Sequence, residues 1–239
     1  MKTDIELKEE LTSFSRIWKG GFRTGYRVKR NQKNIEEYLK DNIKSKDIVF
    51  EIGCGGGFWT KLLSQLAQEV YCNDAKTEED NRLFDYLKNN NYKNNVIFNK
   101  VNDFELDYIE DNSLDFVFSY DVFCHISLTG QKLYLKNLYS KCKKGCKLMI
   151  MYADARKYLN SEPENRWHVV QNSIKIKNIE NDEELIQAAL DDCDTSSIDG
   201  KWYYIGKENF INSCKEVGYT IITEDLDIDK TNPITLFTK

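Results

Sequence analysis

Seven residues, Glu51-Ile52-Gly53-Cys54-Gly55-Gly56-Gly57, hold the densest chemical information in the 239-residue chain. Glycines at this spacing free the backbone for left-handed turns and let it approach a ligand closely. A strand that ends in glycines and opens a helix is a seat for a nucleotide-like ligand. A dinucleotide seat would carry its third glycine where Phe58 stands. The acid Glu51, just ahead of the first glycine, fits E/D-x-G-x-G-x-G instead.

Groups able to move a proton near neutral pH are few. The chain has two histidines, His125 and His168. Imidazole titrates close to neutrality and therefore suits a general base. His125 ends Tyr120-Asp121-Val122-Phe123-Cys124-His125, and His168 ends Asn165-Arg166-Trp167-His168. Asp154 is the third candidate base. Arg156, Arg166 and Trp167 lie close to it or to His168 in sequence. They combine charge pairing with stacking, which suits an anionic or sugar-like acceptor. Trp18, Arg23 and Tyr26 fall in Trp18-Lys19-Gly20-Gly21-Phe22-Arg23-Thr24-Gly25-Tyr26-Arg27, a poor helix and a candidate flap. Each of these residues has a structural alternative. A histidine can pack at a helix start or on a lid surface, and the glycine stretch can be a turn that packs the first helix onto the sheet.

The elements that must position these groups alternate. Short apolar runs at Ile48–Glu51, Val70–Asp74, Val96–Phe98, Leu114–Ser119 and Lys147–Tyr152 read as buried parallel strands. Between them, Phe58, Trp59, Leu62, Leu63, Leu66 and Ala67 recur at helical spacing. Thr77 with Asp80 marks a helix start. Leu133 to Tyr139 predicts a helix that ends near Lys143-Lys144-Gly145. Lys207 to Val217 predicts another, stopped by Gly218, and 219–223 with 234–238 close the chain as two strands. The pattern is α/β: a Rossmann-like, mostly parallel seven-stranded sheet with helices on both faces and a C-terminal antiparallel hairpin. Two segments stand outside the rhythm, an N-terminal helical stretch over 1–45 and an insertion over 154–202 with an acidic helix candidate at Asp182–Asp192.

Composition narrows the class. Charged residues make up 31% and the formal net charge is −5, which argues against a broad basic face for nucleic acid. No run of about 20 apolar residues predicts a membrane span. The seven cysteines have irregular spacing and lack the further ligands of a metal site, so no metal is expected. They read as reduced thiols of a cytoplasmic chain. One domain of 239 residues, as monomer or homodimer, is expected.

With these residues in place, the chain resembles the class I S-adenosylmethionine-dependent methyltransferase superfamily. Glu51 to Gly57, with Gly53, Gly55 and Gly57, is similar to the family's first motif. Asp74 matches the acid that holds the ribose hydroxyls, and two hydrogen bonds from a vicinal diol suit a carboxylate. Asn102-Asp103-Phe104 resembles the turn that meets adenine, with Asn where the family has glycine. Asp111-Asn112-Ser113-Leu114-Asp115 with the strand ending at Ser119 resembles the D-x-S-F-D-x-V run. The resemblance spans 47–153 and 203–239. It implies S-adenosylmethionine as cofactor, a lid over 1–45 and a substrate-covering insertion over 154–202. It also implies methyl transfer, with a small-molecule sugar-type acceptor oxygen as the leading reading, by analogy with enzymes that decorate surface polysaccharides. A nitrogen acceptor on a small amine or a protein stays open, although no N-P-P-Y-type motif follows the fourth strand, and so does a non-catalytic cofactor-binding module.

Overall fold

The computed structural model describes residues 2–17, 26–161, 166–171, 179, 181–195 and 201–239. Seven strands form one sheet in the order β3-β2-β1-β4-β5-β7-β6. They are β1 (Ile48–Ile52), β2 (Glu69–Asp74), β3 (Val96–Lys100), β4 (Leu114–Ser119), β5 (Cys142–Met151), β6 (Thr220–Thr223) and β7 (Ile234–Thr238). The first five run parallel, and β7 lies antiparallel between β5 and β6. The order reverses between β1 and β4, so a crevice opens at the carboxyl ends of β1, β2 and β4.

Period-two alternation sorts the strand side chains onto two cores. Phe50, Ile52, Val117, Leu148, Ile150 and Phe237 face one side, with Leu138 of α6 (Leu128–Lys141) and Phe210 of α10 (Lys207–Val217). Val49, Phe116, Phe118, Met149 and Leu236 face the other. There Ile35 and Leu39 of α2 (Tyr26–Asn42) and Leu63 of α3 (Phe58–Leu66) cover them. Fully burying each such aliphatic side chain contributes about 2 kcal/mol.

Two N-terminal helices attach on opposite faces near the crevice. Leu7 of α1 (Asp4–Ile17) joins the first core. Buried Glu10 pairs with Lys2 and accepts the Ser127 N–H at 2.7 Å, at the start of α6. On the other face, Asn31 of α2 donates to the Tyr120 hydroxyl at 2.9 Å, which donates to Asp229 at 2.7 Å. The insertion contributes α7 (Ala155–Ser161), α8 (Arg166–Gln171) and α9 (Asp182–Asp191), which share a third core with Cys124 and Tyr204. None of the described helices is long and apolar enough to cross a membrane.

The helix starts follow their caps: Thr77 accepts the Asp80 N–H at 3.1 Å, opening α4 (Glu78–Asn81). The short α5 (Leu83–Lys88) follows after a left-handed Arg82. Gly218 ends α10 at φ 111°. One boundary differs from the sequence expectation. Helix α6 stops at Lys141 and passes directly into β5, so 143–145 are strand, not a helix C-terminus. Pairing of β4 with β5 jumps from Leu114–Cys142 to Phe116–Lys147. Gly145, at φ 85°, lies in the extra length that this bulge takes up.

Candidate active site

The glycine loop between β1 and α3 has Gly53, Gly55 and Gly57 at φ of 73°, 49° and 88°. Its N–H groups are already taken by the end of β2. Gly53 N–H donates to Asn73 Oδ1 at 3.1 Å, Cys54 N–H to the Asn73 carbonyl at 2.9 Å, and Gly55 N–H to Asp74 Oδ2 at 3.0 Å. A pyrophosphate would need such donors for itself. This loop offers shape instead. A side chain on Gly53 would collide with Val122, whose Cγ2 would lie 2.3 Å from the added Cβ. Gly55 opens on empty space, with nothing within 4 Å of an added Cβ.

Acids surround this opening. Glu51 is 2% exposed, and its Oε2 has no hydrogen-bond partner among the described residues. Burial pushes its pKa up to about 8. Asp74 is half-buried at the end of β2 and also accepts the Lys76 N–H at 2.9 Å. Burial raises its pKa, against the pull of the Lys76 and Gly55 N–H groups. Asp103 lies in the turn after β3 and accepts the Glu105 N–H at 3.1 Å. Ser119, 1% exposed, reaches the Ile52 carbonyl at 3.3 Å and ties β4 to β1. Phe104 is placed differently from the expectation: its ring is a core group, 2% exposed and edge-on to Tyr134 of α6.

His125 ends a 3-10 turn, Phe123–His125, that begins right after Val122. Its Nδ1 lies 3.1 Å from the Lys201 carbonyl. A carbonyl only accepts, so Nδ1 carries the hydrogen and the lone pair of the neutral ring belongs to Nε2. The segment that supplies the carbonyl is held by a buried ion pair, Lys201 to Asp192 at 2.7 Å. His168, on α8, shares a 2.6 Å hydrogen bond with the Tyr204 hydroxyl and stacks on Tyr158. Trp202 stands edge-on to both imidazoles, with centroids 5.7 Å from His125 and 4.9 Å from His168. The two histidines, 43 positions apart in sequence, thus flank one indole ring.

Solved structures share this fold across nearly the whole chain. A SAM-dependent methyltransferase from Aquifex aeolicus is 15% identical, with a TM-score of 0.58 over 90% of this chain and 93% of its own. An S-adenosylmethionine-dependent methyltransferase from Mesorhizobium loti is 9% identical, with a TM-score of 0.58 over 87% and 98%. A DhpI–SAH complex is 15% identical, with a TM-score of 0.62 over 98% of both chains. No curated protein matches the chain. Residues 50–150, from β1 through β5, match the family model of a methyltransferase domain. Residues 50–150 are thus similar to a methyltransferase domain, on a fold that solved S-adenosylmethionine-dependent methyltransferases share.

The residues of the crevice fit S-adenosylmethionine. The space over Gly55 admits a ligand against bare backbone, and Asp74 offers oxygens suited to a diol. The orphan oxygen of Glu51 suits a positively charged group, because a cation would pull its proton off.

Other expected site residues have different employment. Asp154 accepts the Lys157 N–H at 2.7 Å with one oxygen and the Lys207 N–H at 2.7 Å with the other. It caps α7 and α10 together, so both of its oxygens are engaged in holding helix starts. Arg156 forms a two-pronged pair with Glu183 at 2.6 and 2.7 Å, and Arg166 bonds Asp182 at 2.7 Å. Both arginines clamp their helices to the first turn of α9. Arg156 also lines a cavity of about 360 Å³ with Asp154, Lys157 and Asn160, so the structure brings Asp154 and Arg156, both expected site residues, together. Neither histidine is among the residues that line it. Trp167 is 58% exposed, edge-on to its neighbour His168. Trp18 and Arg23 lie outside the described residues, and of Tyr26 only the backbone, opening α2, is described.

Asn73, Val122, Trp202 and Tyr204 were not among the expected site residues. The aromatic run Trp202-Tyr203-Tyr204 just ahead of the last helix was the available signal. Asn73 had one too, as a polar residue ending an otherwise apolar strand.

Proposed function

We propose that the chain is an S-adenosylmethionine-dependent methyltransferase that acts on a hydroxyl of a small polar acceptor, sugar-type or phosphate-like, with His125 as the base. The carrying observation is the Lys201 carbonyl on His125 Nδ1, which fixes the tautomer with the lone pair on Nε2, in the turn that directly follows Val122. When bound, S-adenosylmethionine supplies a methyl group on a positively charged sulfur. Glu51, the glycine loop, Asp74, Asp103 and Ser119 would hold it at the carboxyl ends of the strands. His125 Nε2 would take the proton of the acceptor hydroxyl as that oxygen accepts the methyl group. Alignment of the acceptor supplies much of the rate. His168, Trp202 and Tyr204 form the acceptor wall. The compartment is the cytoplasm.

The test is a panel of sugars, sugar nucleotides, phosphates and amines, scored for S-adenosylhomocysteine release. His125→Gln is expected to lower turnover of the best hydroxyl acceptor by about 100-fold, in the range of a lost general base. Its affinity for S-adenosylhomocysteine should stay within about threefold, since His125 lies outside the cradle. Transfer to amines only, or full activity in His125→Gln, overturns the reading.

A further inference from the structure

Asn73 occupies the next-to-last position of β2 and is 1% exposed. On its face of the sheet the neighbours are apolar core groups, Ile52 beside it and Tyr71 two positions back. A carboxamide at such a place costs free energy unless its groups are bonded. Its hydrogen-bond partners among the described residues belong to segments that frame the cofactor crevice. Gly53 N–H can only donate, so the atom it meets at 3.1 Å is Oδ1. The amide orientation is thereby fixed, and Nδ2 faces two tyrosine hydroxyls, Tyr108 at 2.8 Å and Tyr134 at 2.6 Å. The Asn73 carbonyl also takes the next loop donor, Cys54 N–H.

We infer that Asn73 is the positioning residue of the cofactor cradle. Through one carboxamide it joins the glycine loop, the loop that carries Asp103 and Tyr108, and helix α6, which follows His125. Gly53 sits at positive φ, a conformation a glycine leaves as readily as it enters. The Oδ1 bond holds it there, and the two hydroxyls hold Oδ1. Tyr134 is itself wedged edge-on against Phe104, so the turn with Asp103 is registered against the same amide. The two sides of the crevice are thus set at a fixed separation before the cofactor arrives, which reduces the ordering cost of binding.

The experiment is calorimetric titration of the full chain with S-adenosylhomocysteine, alongside thermal unfolding. Asn73→Leu roughly keeps the side-chain shape and removes every side-chain bond, and it is expected to weaken binding about tenfold or more, the scale of one or two buried bonds. Asn73→Asp is the rescue. In either protonation state one oxygen accepts from Gly53 N–H while the other meets the hydroxyls, which rotate to suit. Its affinity should return to within about threefold of the parent, a recovery that mere core filling by leucine does not give. Binding by Asn73→Leu within about threefold of the parent overturns the inference, as does Asn73→Asp binding no better than Asn73→Leu. Should the leucine variant not fold, Tyr108→Phe with Tyr134→Phe reads the same junction. A fall of about fivefold supports it, and unchanged affinity overturns it.

Discussion

The two halves of the crevice are built by different means. The cofactor half is backbone work, with three successive loop N–H groups bonded to the last two residues of the neighbouring strand. Its residues come from the ends of adjacent parallel strands, and its geometry is fixed before a ligand enters. The half proposed for the acceptor is side-chain work. His125, Tyr158, His168, Trp202 and Tyr204 come from four separate segments and meet through ring contacts and hydrogen bonds. A backbone cradle tolerates almost no change of residue at its tightest points. A wall of side chains can be re-lined without disturbing the strands below it, which suits a half that must match the acceptor rather than the common methyl donor.

The sharpest way to break the cofactor half is Gly53→Val. The position has φ 73°, and a Cβ there would lie 2.3 Å from one Val122 methyl and 2.8 Å from the other. A β-branched residue is strained at this φ even without the collision. Loss of S-adenosylhomocysteine binding by about 100-fold or more is expected, as both strain and steric displacement act on the loop. Near-parental affinity by titration would show that the loop is not the cradle. No single substitution in the ring cluster should match this effect on cofactor affinity.

The same contrast explains what could be read from the chain alone. Backbone demands are written in residue type and local spacing. Glycines at positive φ, an acid at each strand end and alternating apolar runs placed the sheet, the crevice and the loop. Side-chain meetings between distant segments leave no such local mark. Trp202 is 77 positions from His125, and nothing in either neighbourhood reports their contact. Asp154 looked like a base because it follows a strand end, yet both its oxygens cap helices. The sequence shows an aspartate before a helix in either case, and the partner from α10 comes from 53 residues away. Gly145 misled for a related reason. A glycine after lysines reads as a helix end, while here it lies within a bulged strand whose pairing decides the conformation.

A gentler probe of the cofactor half is pH. Glu51 is pushed up to about 8 in the folded chain, from an ordinary carboxylate value of 4.5, because it is buried. Between those values the folded state holds a proton that the unfolded state has lost. Stability therefore falls as pH rises through this window, with a slope of at most about 1.4 kcal/mol per pH unit. Asp74, also raised by burial, adds to the slope with the same sign. A cationic cofactor beside Glu51 reverses the preference, so binding expels the proton below pH 8 and affinity rises with pH across the window. Glu51→Gln should flatten both trends, in thermal unfolding from pH 5 to 8 and in titrations with S-adenosylmethionine. Unchanged pH slopes in that variant would place the titrating group elsewhere.

The smallest effect is expected where the sequence pointed to substrate and the structure points to clamping. Arg156 stands beside Asp154 and reads as a partner for an anionic acceptor. Its guanidinium is instead taken by Glu183, and both side chains are more than half exposed. Such a pair is screened by solvent and contributes little to folding, so Arg156→Gln should shift Tm by on the order of 1 °C or less. The cavity that it lines with Asp154 includes none of the ring-cluster residues in its wall. Acceptor KM in that variant should therefore stay within about twofold of the parent, with kcat unchanged, because no transition-state contact is lost. A KM raised about tenfold at constant cofactor affinity would mean that Glu183 releases the arginine to the acceptor. In that case the cavity of about 360 Å³ that Arg156 lines, and not the ring cluster around Trp202, would be where the acceptor sits.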